Sequence, residues 1–255
     1  MTARLELGRR PFLDSEALSL GRRAAYRRIL ALIGAQPSPY VIGGALGLSL
    51  QLGRLIDGEL EVCLHAEDVP AALDVVNAAG LQIERDDRNG KARLAYGKHR
   101  VILRWALPNP LFGGYDEPWF VRARRTRFLG LRIRVAPVEE LLWLRMAVPS
   151  GASLADPLVG QILLAHGAEI DWDRLRSRMA GQEALFLAHV FLFWHQYPES
   201  ARRVVPEPLI DALRDKIDRP GPEDGDGDDY DGVETEEAGN VEDLLAAESS
   251  LHRGP

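Results

Sequence analysis

The sequence has very little cysteine and no long apolar run. Cys63 is the single cysteine among 255 residues. Neither a disulfide nor a cysteine-based zinc site can therefore form within one chain. A chain without disulfides fits a reducing compartment, so we expect a cytoplasmic protein. Residues 1–10 are charged and lack the apolar core of a signal peptide. No stretch of about 18 apolar residues occurs, so we expect no membrane span.

A phosphate-binding loop of the Gly-x-x-x-x-Gly-Lys type is also missing, which excludes the P-loop class of NTPases. The six histidines show no close spacing of the kind that binds a metal. If the chain binds nucleotides or metal, other residues must do so.

Charge is distributed unevenly along the chain. The net charge is −7, but residues 221–255 hold twelve acidic groups and one basic group, a net of −11. The first 220 residues therefore hold 30 basic and 26 acidic groups, a net of +4. We expect residues 219–255 to form an acidic, disordered tail, because so few apolar residues cannot offset the ordering entropy.

Hydrophobic periodicity predicts a mixed fold. Alternation of polar and apolar residues indicates strands at 59–65, 81–85, 91–96, 100–105 and 131–135, with a hairpin at Asn89-Gly90. Helical periodicity indicates a first helix over 14–34, capped by Asp14 or Ser15. Further helices are predicted at 45–52, 68–79, 138–147, 156–167, 171–180, 182–196 and 206–217. The fold class is therefore α/β or α+β, a mixed sheet with flanking helices and a helical C-terminal subdomain.

These elements suggest four segments. We expect an N-terminal helical segment at 1–37, an α/β domain at 38–136, a helical subdomain at 137–218 and the acidic tail at 219–255.

Two short motifs bear on the chemistry. Ile42-Gly43-Gly44 enters a predicted helix, and Glu59-Leu60-Glu61-Val62 opens a predicted strand. Carboxylates at i and i+2 of a strand project from one face, roughly 6–7 Å apart along the chain. One strand could then supply two oxygen ligands to magnesium. An alternative pair is Asp57 and Glu59, although Gly58 between them interrupts the alternation.

The ordered set of motifs resembles the nucleotidyltransferase superfamily that includes DNA polymerase β. The resemblance also covers a strand ending in Trp105, a strand–Pro–Glu–Leu-Leu passage at 132–142 and a helical segment ending near 170–172. It implies a nucleotidyltransferase-type sheet and transfer of a nucleoside monophosphate from an NTP to an acceptor. Glu59 and Glu61 would then bind catalytic Mg²⁺, Gly43 and Gly44 would approach the triphosphate, and Arg54 would support its charge.

The third carboxylate of that superfamily has no counterpart here. It is expected on the strand before Trp105, where Ile102 and Arg104 stand instead. A cation beside Glu59 and Glu61 would contribute about 4 kcal/mol at 4 Å and an effective dielectric of 20. We therefore expect Arg104 to neutralise the glutamates and to occupy the place of a metal ion.

Two kinds of function remain open. The chain could be a nucleotidyltransferase with a degraded carboxylate triad, or an inactive relative that binds a nucleotide, another phosphate ligand, RNA or a protein partner. A relative acting on transfer RNA is a third possibility, supported only by basic residues near aromatic ones. The basic residues are Arg122, Arg124, Arg125, Arg127, Arg132 and Arg134, near Trp119, Phe120 and Phe128.

Overall fold

The computed structural model describes residues 13–109, 112–148 and 156–219. In this part of the chain, one mixed sheet has the strand order β3-β4-β5-β2-β1-β7-β6. The pairs β1–β7 and β2–β5 are parallel, and the other neighbours are antiparallel. The strands are β1 Tyr40–Gly43, β2 Leu60–Leu64, β3 Gln82–Asp86, β4 Lys91–Tyr96, β5 His99–Arg104, β6 Arg124–Phe128 and β7 Leu131–Val135.

Helices flank the sheet and form most of the C-terminal half. They are α1 Leu20–Gly34, α2 Gly44–Leu52, α3 Val69–Ala78, α4 Glu117–Val121, α5 Val138–Ala147, α6 Pro157–His166, α7 Trp172–Arg178, α8 Glu183–Gln196, α9 Pro198–Val204 and α10 Glu207–Asp218. Short 3-10 turns occupy Ser15–Ala17, Ala66–Asp68 and Asp87–Asn89. The predicted fold class, a mixed α/β sheet with a helical C-terminal half, is confirmed.

The sheet separates two hydrophobic clusters. On one face, Ile42 of β1 and Val62 of β2 share a cluster with Ile29 of α1 and Val76 of α3. On the other face, Val41 and Cys63 share a cluster with residues of α5 to α10. Alternate residues of a strand point to opposite faces, so β1 and β2 contribute to both clusters. The segment boundaries at 37, 136 and 218 stay predictions.

The first predicted helix is wrong at its start. Asp14 caps the 3-10 turn, and the chain is extended at Leu18 before α1 begins. Ser19 caps α1, where its hydroxyl accepts a hydrogen bond from the Arg22 amide. A serine hydroxyl at this place satisfies an otherwise unpaired amide, which favours a new helix start over a continuous helix. Leu20, predicted on the apolar face, is consequently exposed.

Four elements were not predicted. They are the central strand β1, where an apolar entry into a helix was expected, the helices α4 and α9, and the edge strand β6. Since β6 is Arg-Arg-Thr-Arg-Phe, it lacks the apolar alternation that identifies a half-buried strand. The strand predicted at 59–65 begins one residue later, so Glu59 precedes β2.

Two predicted features lie outside the described residues: the charged segment 1–10 and nearly all of the acidic tail at 219–255. Within the described residues, no helix is both long enough and apolar enough to cross a membrane.

Candidate functional site

The two glycines lie at the junction of β1 and α2. Gly43 ends the buried strand β1 and caps α2, which begins at Gly44. Gly44 has φ +54°, in the left-handed region that glycine adopts most readily. Antiparallel pairing of β1 with β2 places Gly43 opposite Glu61. The Gly-Gly motif and the second glutamate of the acidic motif are therefore neighbours.

Glu61 fills the space beside Gly44. A Cβ atom on Gly44 would lie 2.7 Å from Cδ and 2.9 Å from Cγ of Glu61. The carboxylate therefore lies against the first residue of α2. A negative charge near a helix N-terminus is favoured by the helix dipole. The space freed by the glycine is thus taken by a side chain of the protein itself.

Arg104 pairs with this carboxylate. β2 and β5 run parallel, with Glu61 opposite Ile102 and Cys63 opposite Arg104. Nε of Arg104 donates to Oε2 of Glu61 at 3.2 Å, and the two side chains are only 11% and 23% exposed. Burial is the largest influence and opposes the charged guanidinium, but the Glu61 charge, the neighbouring Tyr115 and Cys63 and the hydrogen bond to Glu61 together raise the pKa of Arg104. The site therefore holds a partly buried ion pair.

A thiol and a phenol lie in the interior beside this pair. A Cβ on Gly43 would come 2.8 Å from Sγ of Cys63, which is also hydrogen-bonded to the Tyr115 side chain. Burial, reinforced by the Glu61 charge, raises the pKa of Cys63 to about 12. Burial and the neighbouring Cys63 likewise raise the pKa of Tyr115. Both groups are neutral at physiological pH.

Sequence analysis did not identify Cys63 and Tyr115 as part of the site. Cys63 follows Glu61 by two residues, so strand alternation alone could have placed its side chain on the same face. Tyr115 follows an irregular passage before α4, and no local pattern links it to β2. Its ring packs edge-on against Trp119, with ring centroids 4.8 Å apart.

The structure does not bring together all the predicted site residues. Glu59 precedes the strand and, within the described part of the chain, forms no ion pair with Arg104. Arg54 follows α2, is exposed, and donates a hydrogen bond through Nη2 to Oε1 of Gln161 in α6. Ile102, opposite Glu61, is 7% exposed and apolar. Four of the predicted site residues lie next to one another: Gly43, Gly44, Glu61 and Arg104.

These residues do not fit the magnesium site that the resemblance implies. A pair of catalytic metal ions needs several hard oxygen ligands on one face. Here the Glu61 carboxylate already accepts from a guanidinium, and the opposite strand offers an isoleucine. Among residues 13–109, 112–148 and 156–219, no group of three or more His, Cys, Asp or Glu is arranged to hold a metal ion.

Comparison with known proteins gave matches among solved structures. No protein-family model and no curated protein matches the sequence. The complex of ANT(2'')-Ia with adenylyl-2''-tobramycin matches at 14% identity and TM-score 0.46, over 64% of this chain and 98% of that one. The lincomycin-bound lincosamide antibiotic adenylyltransferase LnuA matches at 15% identity and TM-score 0.41, over 59% and 97%.

A second structure of the antibiotic-resistance factor ANT(2'')-Ia, determined in solution, matches at 16% identity and TM-score 0.43, over 68% and 97%. These three structures are of an antibiotic-resistance factor and an antibiotic adenylyltransferase, and a tRNA nucleotidyltransferase is also among the matches. All are of the nucleotidyltransferase fold that the sequence motifs resemble. These TM-scores are all below 0.5, so function has to be argued from the residues around Gly43 and Glu61.

Proposed function

We propose that this chain is a catalytically inactive protein of the nucleotidyltransferase fold that binds a nucleotide or another phosphate ligand at the Gly43–Gly44 turn. The observation that supports the proposal is the 3.2 Å contact between Arg104 and Glu61. A fixed positive charge lies where the superfamily pattern calls for a third carboxylate.

The charges of the site favour an anion over a cation. Glu61 and Arg104 neutralise each other, so little net negative charge remains to attract Mg²⁺. A metal ion would have to displace the guanidinium and leave it partly buried without a partner, which costs several kcal/mol. An incoming phosphate could instead pair with Arg104 and with the free amides at the start of α2.

Ligand binding by this route competes with Glu61. The carboxylate occupies the space beside Gly44 and already pairs with Arg104, so a phosphate has to displace it. Removing the Glu61 charge should therefore strengthen phosphate binding. In a metal-dependent transferase the same change would remove a metal ligand and weaken binding of the metal–nucleotide complex.

Calorimetric titration distinguishes these two expectations, because removing the Glu61 charge strengthens ligand binding in one and weakens it in the other. ATP is titrated into the full chain with and without Mg²⁺, using wild type, Glu61→Gln and the control Glu67→Gln, which alters an exposed glutamate in a 3-10 turn. We expect ATP affinity to rise about 5- to 10-fold in Glu61→Gln, independently of Mg²⁺, corresponding to about 1–1.4 kcal/mol. Mg²⁺-dependent binding that is lost in Glu61→Gln would overturn the proposal.

A transfer assay examines the activity itself. The chain is incubated with Mg²⁺, α-labelled nucleoside triphosphates and either a cell extract or purified RNA as acceptor. We expect no labelled product that depends on Glu61. Labelling that is abolished in Glu61→Gln and retained in Glu67→Gln would identify an active transferase instead.

A further inference from the structure

A second surface lies at the edge of the sheet, on the hairpin of β6 and β7. Its members are four arginines: Arg125, Arg127, Arg132 and Arg134. In the antiparallel register Arg125 is opposite Arg134 and Arg127 is opposite Arg132. Directly opposite residues project from the same face, so the four guanidinium groups form one basic patch.

The patch is open and unneutralised. Arg125, Arg127 and Arg132 are exposed, and Arg134 is partly exposed. No carboxylate among the described residues forms an ion pair with any of the four. Like charges directly opposite each other on a strand pair are destabilising. The hairpin therefore holds two like-charged pairs, Arg125 with Arg134 and Arg127 with Arg132, whose mutual repulsion is unfavourable to the fold.

The patch lies on the same face of the sheet as Glu61. Ile42 of β1 is in register with Val135 of β7, and both belong to the cluster on the opposite face. By alternation, Arg134 projects from the face that carries Gly43 and its partner Glu61. β1 separates β7 from β2, so the patch is two strands, about 10 Å, from the strand of Glu61.

The nearby aromatic residues define what the patch can recognise. Trp119, Phe120 and Phe128, which flank the arginines in the sequence, are all buried, at 1–3% exposure. Their rings pack in the two cores and cannot stack on bases. The patch thus has guanidinium groups that can bind phosphates. None of these three aromatic rings is exposed to stack on a base.

We propose that the four-arginine patch binds the phosphate backbone of duplex nucleic acid, independently of base sequence. Residues two apart on a strand are about 6.7 Å apart, so each strand presents a row of two cations to a line of phosphates. Phosphate contacts position a protein on a duplex without specifying sequence. This surface is separate from the Gly43–Gly44 turn, and the proposal does not depend on the function proposed there.

Fluorescence anisotropy with labelled duplexes tests the proposal. RNA and DNA duplexes of about 24 base pairs, roughly two helical turns, are titrated with the full chain at several KCl concentrations. The variant Arg125→Gln/Arg127→Gln removes one member of each repulsive pair. The control Arg27→Gln/Arg28→Gln removes the same charge from exposed positions on α1.

We expect wild type to bind a duplex with a log–log salt slope of about −3 to −4, since each phosphate contact contributes roughly −0.9. The β6 variant should lose at least about 10-fold in affinity at 0.1 M KCl and about 2 units of slope. The control should change affinity less than about 2-fold. Comparison of the two duplexes shows whether A-form or B-form geometry is preferred.

Two outcomes would overturn the proposal. One is wild-type binding that is absent or insensitive to salt. The other is an equal loss of affinity in the β6 and α1 variants, which would indicate a general charge effect. Folding is checked by thermal melting, where the β6 variant should melt no lower than wild type because the repulsion is relieved. ATP titration of the same variant should be unchanged, which separates this surface from the Gly43–Gly44 turn.

Discussion

The Glu61 side chain occupies the space that a Cβ atom on Gly44 would need, with Cδ 2.7 Å from the ideal Cβ position. Two separate features therefore favour glycine at position 44: its left-handed φ and the close contact with Glu61. The two requirements can be measured separately, because other glycines have the same backbone conformation in open space.

Gly44→Ala should lower the free energy of unfolding by about 3–4 kcal/mol. Left-handed strain accounts for about 1–2 kcal/mol and the clash with Glu61 for the rest. Gly97→Ala is the matched control, since Gly97 has φ +59° and nothing within 4 Å of its ideal Cβ. Urea unfolding measures both. Equal losses in the two variants would show that Glu61 does not press on Gly44.

The pair of Arg104 and Glu61 should be energetically coupled. Removing either partner leaves a partly buried charge, so Arg104→Met and Glu61→Gln should each destabilise the fold by about 1.5–3 kcal/mol. The double variant should cost less than the sum by about 1–2 kcal/mol. A double-mutant cycle in urea tests this, and an additive result would mean that the contact contributes nothing in solution.

Cys63 provides a probe of the interior beside Gly43 because it is the single cysteine of the chain. With its pKa raised to about 12, only about one thiol in 10⁴ is ionised at pH 8. We expect a thiol reagent to leave the native protein unlabelled over an hour and to react promptly in denaturing urea. Fast native labelling would contradict the burial of Cys63 beside Gly43.

His189 should make stability sensitive to acid. It is 3% exposed, its Nε2 donates to the main-chain oxygen of Met146 at 3.3 Å, and burial lowers its pKa. Below its ordinary pKa of about 6.5, the unfolded chain binds a proton that the folded chain binds less readily. Stability is therefore lost as pH falls below about 6.5.

His189→Gln keeps a donor for Met146 but does not titrate. Urea midpoints from pH 5 to 8 should fall less steeply toward acid in this variant than in wild type. The exposed His195, one turn and a half further along α8, provides the control substitution His195→Gln. An identical acid profile in wild type and His189→Gln would remove His189 as the cause.

Buried Glu140 should be among the least replaceable residues of the helical half. Its side chain is fully buried and pairs with Nη2 of Arg174 and, at 2.8 Å, with Nε of Arg178. Glu140→Gln would leave Arg174 without its counter-charge and Arg178 with Asp116 alone, so we expect a loss of about 3–5 kcal/mol. Glu207→Gln, at an exposed position, should change the urea midpoint only slightly.

Local patterns predicted much of the sheet. The alternation around Val62 and Leu103 identified β2 and β5, and Asn89-Gly90 correctly predicted the β3–β4 hairpin. What the sequence could not show is the strand order. Placing Arg104 beside Glu61 requires the parallel pairing of β2 with β5, a contact between distant segments that no local periodicity encodes.

Local sequence patterns also predicted most helices of the C-terminal half. The ends of helices α5 to α8 were predicted to within two residues. The buried partnership of Glu140 with Arg174 and Arg178 was not foreseen, because charged residues on amphipathic helices usually face solvent. Here α5 packs against α7, so Glu140 is buried and pairs with the two arginines of α7.

Among the described residues, no strand pairs with the outer edge of β3 or of β6. An open edge is a template for recruiting another strand, and charged side chains are a common protection against it. Both edges carry them: Glu84, Arg85 and Asp86 on β3, and three arginines on β6. Two molecules meeting through β6 would bring like charges together, so the hairpin also protects the protein from aggregating edge to edge when it is concentrated.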